Sequence, residues 1–361
     1  MRFLFATFEG GGHVPPALMV ARRLADDGHD VLLLSDEANR AAARAQTLSF
    51  TPWATAPNRL RAGQADDPVR DWRSAWPPAV VRAVCDAVIT GPAARYAVDA
   101  AEVIDAFRPD IVVSNELLFG VMAAAEARSV PLALLTGNVW CFPTRPDLPP
   151  FGPGFPPARG RFGRGREQTS RKWIAGLYDA GRTDLNAARA NLGLRPLART
   201  LDQLDAADLI LIGASQVFDY DASAPPPFAY AGPLIAVPEW AAARPPPDLA
   251  GDGPLVLVSF STTFQNQAEI VARCIRALKK LPVRGLVTLG PAVDPKGLPS
   301  APNVTVVESA SHDAVMPHCA AVICHAGHGT VVRPLMNGVP VVCIPTGRDQ
   351  PENAARIAWR G

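Results

Sequence analysis

Apolar and polar positions fall into blocks along the chain, and the blocks repeat as strand, loop, helix, strand. Arg2–Phe8 is an apolar run of buried-strand length, followed by the glycine loop Glu9–His13. Pro15 and Pro16 suit the first turn of a helix, where a missing N–H costs nothing. Leu18, Ala21, Leu24 and Ala25 then recur at helical spacing, with Gly28 placed to cap the helix end. Asp30–Ser35 is apolar strand again. The alternation returns at Asp110–Ser114, Leu117–Arg128 and Pro131–Thr136, and Asp208–Ser215 forms a further strand unit. It restarts downstream with strand Leu255–Phe260, helix Gln265–Lys280, and strands Val283–Leu289 and Val304–Val307. Ala320–Cys324, Val331–Asn337 and Val341–Ile344 complete it as strand, helix, strand. Strands alternating with helices imply parallel sheets with right-handed crossovers. The prediction is an α/β protein of two doubly wound domains in tandem, facing a cleft.

Composition sharpens the boundaries. A length of 361 residues suits two domains, and the 37 prolines concentrate in two places. Seven of them lie between Pro143 and Pro157, in a loop too long to be an ordinary connection. The second cluster, Pro225 to Pro254, reads as a semi-rigid linker. The predicted division is therefore 1–224, a linker at 225–253, and 254–361. A net charge of +1 gives no field-wide reason to expect nucleic acid or an acidic membrane as partner. Six cysteines without a Cys-x-x-Cys pair point to a reducing compartment. No signal-peptide pattern and no membrane-spanning apolar run is present, so a cytoplasmic protein without stable membrane insertion is expected.

Three loops carry candidate chemistry, each beyond the carboxyl end of a predicted strand, where open α/β sheets bind ligands. In His325-Ala-Gly-His-Gly-Thr330, Gly327 and Gly329 permit close backbone approach to a ligand. The Thr330 hydroxyl and the helix-start N–H groups would face an anion such as a diphosphate. An ordinary two-glycine turn is the competing reading. His13 sits between the first strand and first helix, and an imidazole with an ordinary pKa of about 6.5 suits a general base. A histidine bonded to its own loop is the alternative there, as Glu9 is alternatively a loop-stabilising carboxylate. Gly347-Arg348-Asp349-Gln350 is the third, with helix capping as its plainer role. The Arg-rich run Arg159–Lys172 reads as a solvated loop. Cys319 and Cys324 flank the strand before His325, but their separation of five puts them on opposite faces, so a zinc site is disfavoured. Gly10–Gly12 lack the spacing of a dinucleotide fingerprint, so no nicotinamide cofactor is expected.

Together and in this order, these loops resemble the family 1 glycosyltransferases, the UDP-glycosyltransferase-like enzymes of the GT-B fold. Gly12-His-Val-Pro-Pro-Ala-Leu18 through Gly28-His-Asp-Val31 resembles their opening Gly-His-x-x-Pro motif. Tyr230-Ala-Gly-Pro-Leu234 is similar to their interdomain crossing, and Ser309 to Asn353 to their donor-binding signature. The resemblance implies two Rossmann-like domains, N-terminal for the acceptor and C-terminal for the nucleotide sugar. It makes His13 the base that deprotonates the acceptor hydroxyl. It assigns the donor diphosphate to His325, Gly327, His328, Gly329 and Thr330, with Ser259 and Thr262 nearby. Ala310 and His312 would flank the nucleobase, and Asp349 and Gln350 would bind the sugar hydroxyls. It implies inverting hexosyl transfer from a UDP- or TDP-sugar without metal or other cofactor.

Two positions depart from the family pattern. Asn115 stands where a carboxylate orients the catalytic histidine, so Glu116 next door or Glu9 is left to supply the charge. Arg333 stands where many members carry a glutamate for the donor ribose, and an arginine donates only. The aromatics Trp53, Trp72, Trp76, Trp140, Phe142, Phe151 and Phe155 fall in 53–90 and 137–180, which predicts a lipophilic small-molecule acceptor. A non-catalytic GT-B-like binding or activator protein is the alternative, and monomer and homodimer are both compatible. The chain stops at Gly361, just after the helix opened by Pro351, so a C-terminally shortened second domain is expected.

Overall fold

The computed structural model describes residues 1–61, 66–67, 69–70, 72, 76–221, 223–235, 252–260, 264–290 and 293–361. The chain divides into two compact units: Met1–Phe151 with Phe155–Leu234, and Gly152–Gly154 with Ile235–Gly361.

The first unit opens with β1 (Arg2–Ala6), α1 (Val14–Asp26), β2 (Asp30–Ser35), α2 (Arg40–Ala45) and β3 (Ser49–Pro52). It continues with α3 (Pro77–Val84), α4 (Ala93–Phe107), β4 (Ile111–Asn115), α5 (Phe119–Ala127) and β5 (Leu132–Thr136). Then come α6 (Gly160–Tyr178), α7 (Arg182–Asn191), β6 (Leu209–Ile212) and β7 (Phe228–Tyr230). The strands form one parallel sheet in the order β3-β2-β1-β4-β5-β6-β7. Because both faces are covered, strands such as β5 are buried at every position and read as continuous apolar runs. α5 is buried from Phe119 to Ala125, which is why its sequence lacks a polar stripe. α1 behaves as its spacing predicts: Leu18 and Ala21 enter the core, and Gly28 follows the last turn at φ 84°, a left-handed conformation that glycine adopts without strain.

The second unit contains β8 (Leu255–Ser259), α8 (Ala268–Leu278), β9 (Arg284–Thr288), β10 (Val304–Val307) and α9 (His312–Val315). β11 (Cys319–Cys324), α10 (His328–Met336), β12 (Val341–Cys343) and α11 (Gln350–Arg360) complete it. Its parallel sheet has the order β10-β9-β8-β11-β12. Gly152 and Gly154 join this unit by donating their N–H groups to Glu352 Oε1 at 2.8 and 2.7 Å.

Three expectations need correction. Residues 225–234, read as the start of a linker, belong to the first unit, because β7 pairs with β6 through Ile210, Leu211 and Ile212. Most of the remaining predicted linker, 236–251, lies outside the described residues. The run Arg159–Lys172 is not a loop but the first part of α6. Its glycines weaken helix propensity, yet Ile174 and Tyr178 bury one side and Arg171 donates to the carbonyls of Pro143, Arg145 and Leu148. Finally, Trp53, Trp140 and Phe142 are fully buried core residues rather than cavity lining. Trp53 Nε1 donates to Thr7 O at 3.2 Å, and Trp140 packs edge-on against Phe142 and Phe228. Trp76 is exposed.

Candidate active site

In the first sheet the strand order reverses between β1 and β4, and the loops beyond their carboxyl ends lie side by side. The β1 loop delivers His13, the N-cap residue of α1, and β4 ends at Asn115 with Glu116 following. Three of the predicted residues therefore meet. His13 Nδ1 is 3.4 Å from Asn115 Nδ2 and 3.6 Å from Glu116 Oε1. Asn115 Oδ1 accepts from Leu117 N at 3.0 Å, which turns the amide NH2 rather than the carbonyl toward the imidazole. The His13 ring stacks on Phe8 with centroids 5.9 Å apart. Gly10 is required beneath them: a Cβ there would lie 2.9 Å from the Phe8 ring and 3.2 Å from His13 Cδ2.

Glu116 is 1% exposed, and its Oε2 has no hydrogen-bond partner. Its Oε1 accepts weakly from the Cys141 thiol, 3.9 Å away. Burial pushes this carboxyl up from 4.5 to about 8. Glu9 is engaged elsewhere: its Oε1 accepts from Gly11 N at 3.0 Å, and its own N–H donates to Asp36 Oδ2 at 2.7 Å. Of the two carboxylates considered for His13, Glu116 is the one at the ring. Glu9 shapes the loop.

The second sheet repeats the design. Its order reverses between β8 and β11, where Ser259 pairs with Cys324 and is followed in space by the His325 loop. His325 is buried, hydrogen-bonds the Ser259 backbone, and has no partner for Nδ1. Burial lowers its pKa to about 4, so the ring is neutral. Ala326 adopts φ 70°, a left-handed conformation unusual for a residue with a Cβ. Gly327 is the N-cap of α10, and a Cβ on it would lie 2.4 Å from His325 Nε2, so only glycine leaves the ring in place. His328, Gly329 and Thr330 form the first turn of α10, whose outward N–H groups favour an anion by about 0.3–1 kcal/mol when exposed and roughly 2 when partly buried.

Around this loop, Ala310 is buried and His312 opens α9, with Ser311 capping by accepting from Ala314 N. His312 Nε2 lies 3.1 Å from Thr288 Oγ1, and burial lowers the ring's pKa to about 4. Arg333 forms an ion pair with Asp313 at 3.2 Å, which binds α10 to α9. Thr262 lies outside the described residues.

The Asp349-Gln350 pair is divided. Gln350 is buried: its Nε2 donates to Gln265 Oε1 at 2.7 Å, and its Oε1 accepts from Thr346 N, Thr346 Oγ1 and Gly347 N. All four bonds lie inside the second unit, so the amide holds the β12–α11 loop instead of reaching outward. Asp349 caps α11, and its Oδ2 accepts from Asn353 Nδ2 at 2.8 Å. The same Asn353 nitrogen donates to Ala326 O at 3.0 Å and so ties α11 to the left-handed turn of the His325 loop. Asn353 and Gln265 were not singled out from sequence. Their one visible signal was helical spacing, Asp349 to Asn353 being i to i+4. Among the described residues no group of three His, Cys, Asp or Glu is placed to hold a metal ion.

The sequence model of the family described as "UDP-glucoronosyl and UDP-glucosyl transferase" matches residues 182–361. The 4'-demethylrebeccamycin synthase of Lentzea aerocolonigenes is 27% identical over 388 aligned residues, covering 100% of this chain and 86% of that protein. Among solved structures, the glycosyltransferase of kitacinnamycin superposes with a TM-score of 0.75 at 19% identity, over 99% of this chain and 84% of that one. VinC, solved in complex with dTDP, gives a TM-score of 0.63 at 19% identity, over 100% of this chain and 85% of its own. The structural likenesses establish the fold as GT-B. The chain belongs to the family 1, UDP-glycosyltransferase-like glycosyltransferases.

Proposed function

We propose that this glycosyltransferase is an inverting, metal-independent enzyme that moves a sugar from a nucleoside diphosphate to a hydroxyl of a lipophilic small molecule. The observation that carries this reading is His13 at the switch point of the first sheet with buried Glu116 at its Nδ1, 3.6 Å away. In the reactive form Nδ1 carries a proton directed at ionised Glu116, in place of accepting from Asn115 Nδ2, and Nε2 keeps a lone pair. The acceptor hydroxyl gives its proton to Nε2 as its oxygen bonds to the anomeric carbon, and the bond from that carbon to the diphosphate breaks on the opposite side. Glu116 then faces an imidazolium and offsets its charge, the role that Asn115 with its outward NH2 does not fill. On the donor side, the outward N–H groups of the first turn of α10 receive the charge that develops on the departing diphosphate.

The donor is a UDP- or TDP-sugar. A TDP donor is consistent with Arg333, which is paired with Asp313 and accepts nothing from a ribose hydroxyl. Relatives named as 4'-demethylrebeccamycin synthase and demethyllactenocin mycarosyltransferase are in keeping with natural-product acceptors. Gln350 is withdrawn from sugar recognition by its buried bonds, and Asp349 alone of the pair is left for that role.

The test is turnover of UDP- and TDP-sugars on a panel of phenolic and alcoholic acceptors, with and without EDTA, for the wild type and His13→Ala. Expected are product of inverted anomeric configuration, no effect of EDTA, and a loss of roughly 10²–10⁴-fold in the variant. Retained turnover in His13→Ala removes the base. Nucleotide binding without turnover on any acceptor favours the non-catalytic partner protein.

A further inference from the structure

Helix α6 is held to its unit along one side. Ile174 and Tyr178 are buried there, and Arg171 is turned inward onto three backbone carbonyls. The opposite side carries two large aromatics in water, Phe162 at 91% and Trp173 at 52% exposure. Eleven residues apart, they stand at nearly the same azimuth, about three turns and 16 Å along the axis. Arg161 and Lys172 flank them and are exposed, and Arg166 lies over the Phe155 ring at 4.2 Å. The helix has one acidic residue, Glu167, which is half-buried.

Exposed Phe and Trp in line, bordered by cations, match a helix lying in the plane of a lipid headgroup layer. We propose that the solvent face of α6 docks on an anionic lipid surface, with Phe162 and Trp173 entering the headgroup layer and the surrounding cations meeting lipid phosphates. The chain's net charge of +1 makes this a local attraction, not a property of the whole molecule. A second copy is a poor occupant, because a two-fold pairing of this face sets its cations against themselves. No helix among the described residues is long and apolar enough to cross a membrane, so the contact is peripheral. It would place the enzyme where a lipophilic acceptor collects, but its existence does not depend on what the enzyme transfers.

The experiment is co-sedimentation of the full chain with vesicles of phosphatidylcholine alone and of phosphatidylcholine mixed with phosphatidylglycerol, over a range of salt. Binding is expected to the mixed vesicles only, weakening with salt, each surface cation contributing about fivefold. Phe162→Ser/Trp173→Ser should lower the partition coefficient at least about tenfold, and Arg161→Glu/Lys172→Glu should abolish it. Unchanged thermal melting by circular dichroism confirms that both variants fold. Absent binding, equal binding to neutral vesicles, or binding unchanged in the aromatic variant overturns the proposal. So does self-association by light scattering that the aromatic variant loses, which would assign the face to a second copy. Turnover is not among the readouts, so this result and the glycosyl-transfer reading fail independently.

Discussion

His13 Nδ1 and Glu116 Oε1 lie 3.6 Å apart, one at the end of the β1 loop and the other one residue beyond β4. The carboxylate reaches the histidine from the position after the strand's last residue, while that last residue, Asn115, presents its NH2. A second carboxylate nearby, Glu9, is committed to the backbone of its own loop.

This placement costs stability at high pH. Glu116 holds its proton up to about pH 8, whereas the unfolded chain releases it near 4.5. Between those values the folded state binds more protons, so stability is fully present below the lower value and falls as pH rises through the window, by about 1.4 kcal/mol per unit from this group alone. Glu116→Gln should flatten that dependence and raise the Tm at pH 8 relative to wild type, with little change at pH 5. Thermal melts across the range check it; a parallel fall in both proteins contradicts it.

The donor loop should be intolerant of a single methyl group. In Gly327→Ala the new Cβ would overlap the His325 ring, so the ring must leave its place against the Ser259 backbone. We expect nucleotide affinity by isothermal titration to fall about tenfold or more, the equivalent of one lost charge-assisted hydrogen bond. Affinity within twofold of wild type would show that the ring's position is immaterial to the donor.

Gln350 and Asn353 should behave as structural residues. Gln350→Ala leaves the N–H groups of Thr346 and Gly347 without their partner, at about 1–3 kcal/mol for each buried group so stranded, and removes one of the two donors to Gln265 Oε1. Asn353→Ala releases Ala326 O and Asp349 Oδ2. Both should lower the denaturation midpoint, and Asn353→Ala should also weaken nucleotide binding through the His325 loop. If Gln350→Ala raises KM for the donor sugar at unchanged stability, Gln350 contacts the sugar after all.

The elements that period and punctuation define were legible in the sequence. β1, α1 and β2 have clean strand and helix spacing bounded by Pro15, Pro16 and Gly28, and their ends moved by a few residues at most. The positions of His13 and His325 followed from being just past a strand, since switch-point loops are set by topology. What failed depended on tertiary contacts that no local pattern records. α6 is glycine-rich and polar, and it is helical because Ile174, Tyr178 and Arg171 find partners far along the chain. Trp53 and Trp140 read equally as lining or core until their indole N–H groups are seen bonded inside the unit, to Thr7 O and Thr144 Oγ1. Gln350 carries the motif position of a sugar ligand, but Gln265, 85 residues earlier, fixes its amide. Between Glu9 and Glu116 the sequence left the choice open, because loop direction decides it.

The pair His13–Glu116 is active as a base only when it holds one proton, with Glu116 ionised and Nε2 bare. The upper titration of the pair, set by the Glu116 carboxyl at about 8, therefore governs the rising limb of activity. The most direct measurement is kcat/KM against pH for the wild type and Glu116→Gln on one acceptor whose hydroxyl does not itself titrate in the range. The account predicts a limb near pH 8 in the wild type. In the variant the limb near pH 8 should be lost, with a plateau at least about tenfold lower. A limb at the same pH in both proteins, or an undiminished plateau in the variant, would contradict it.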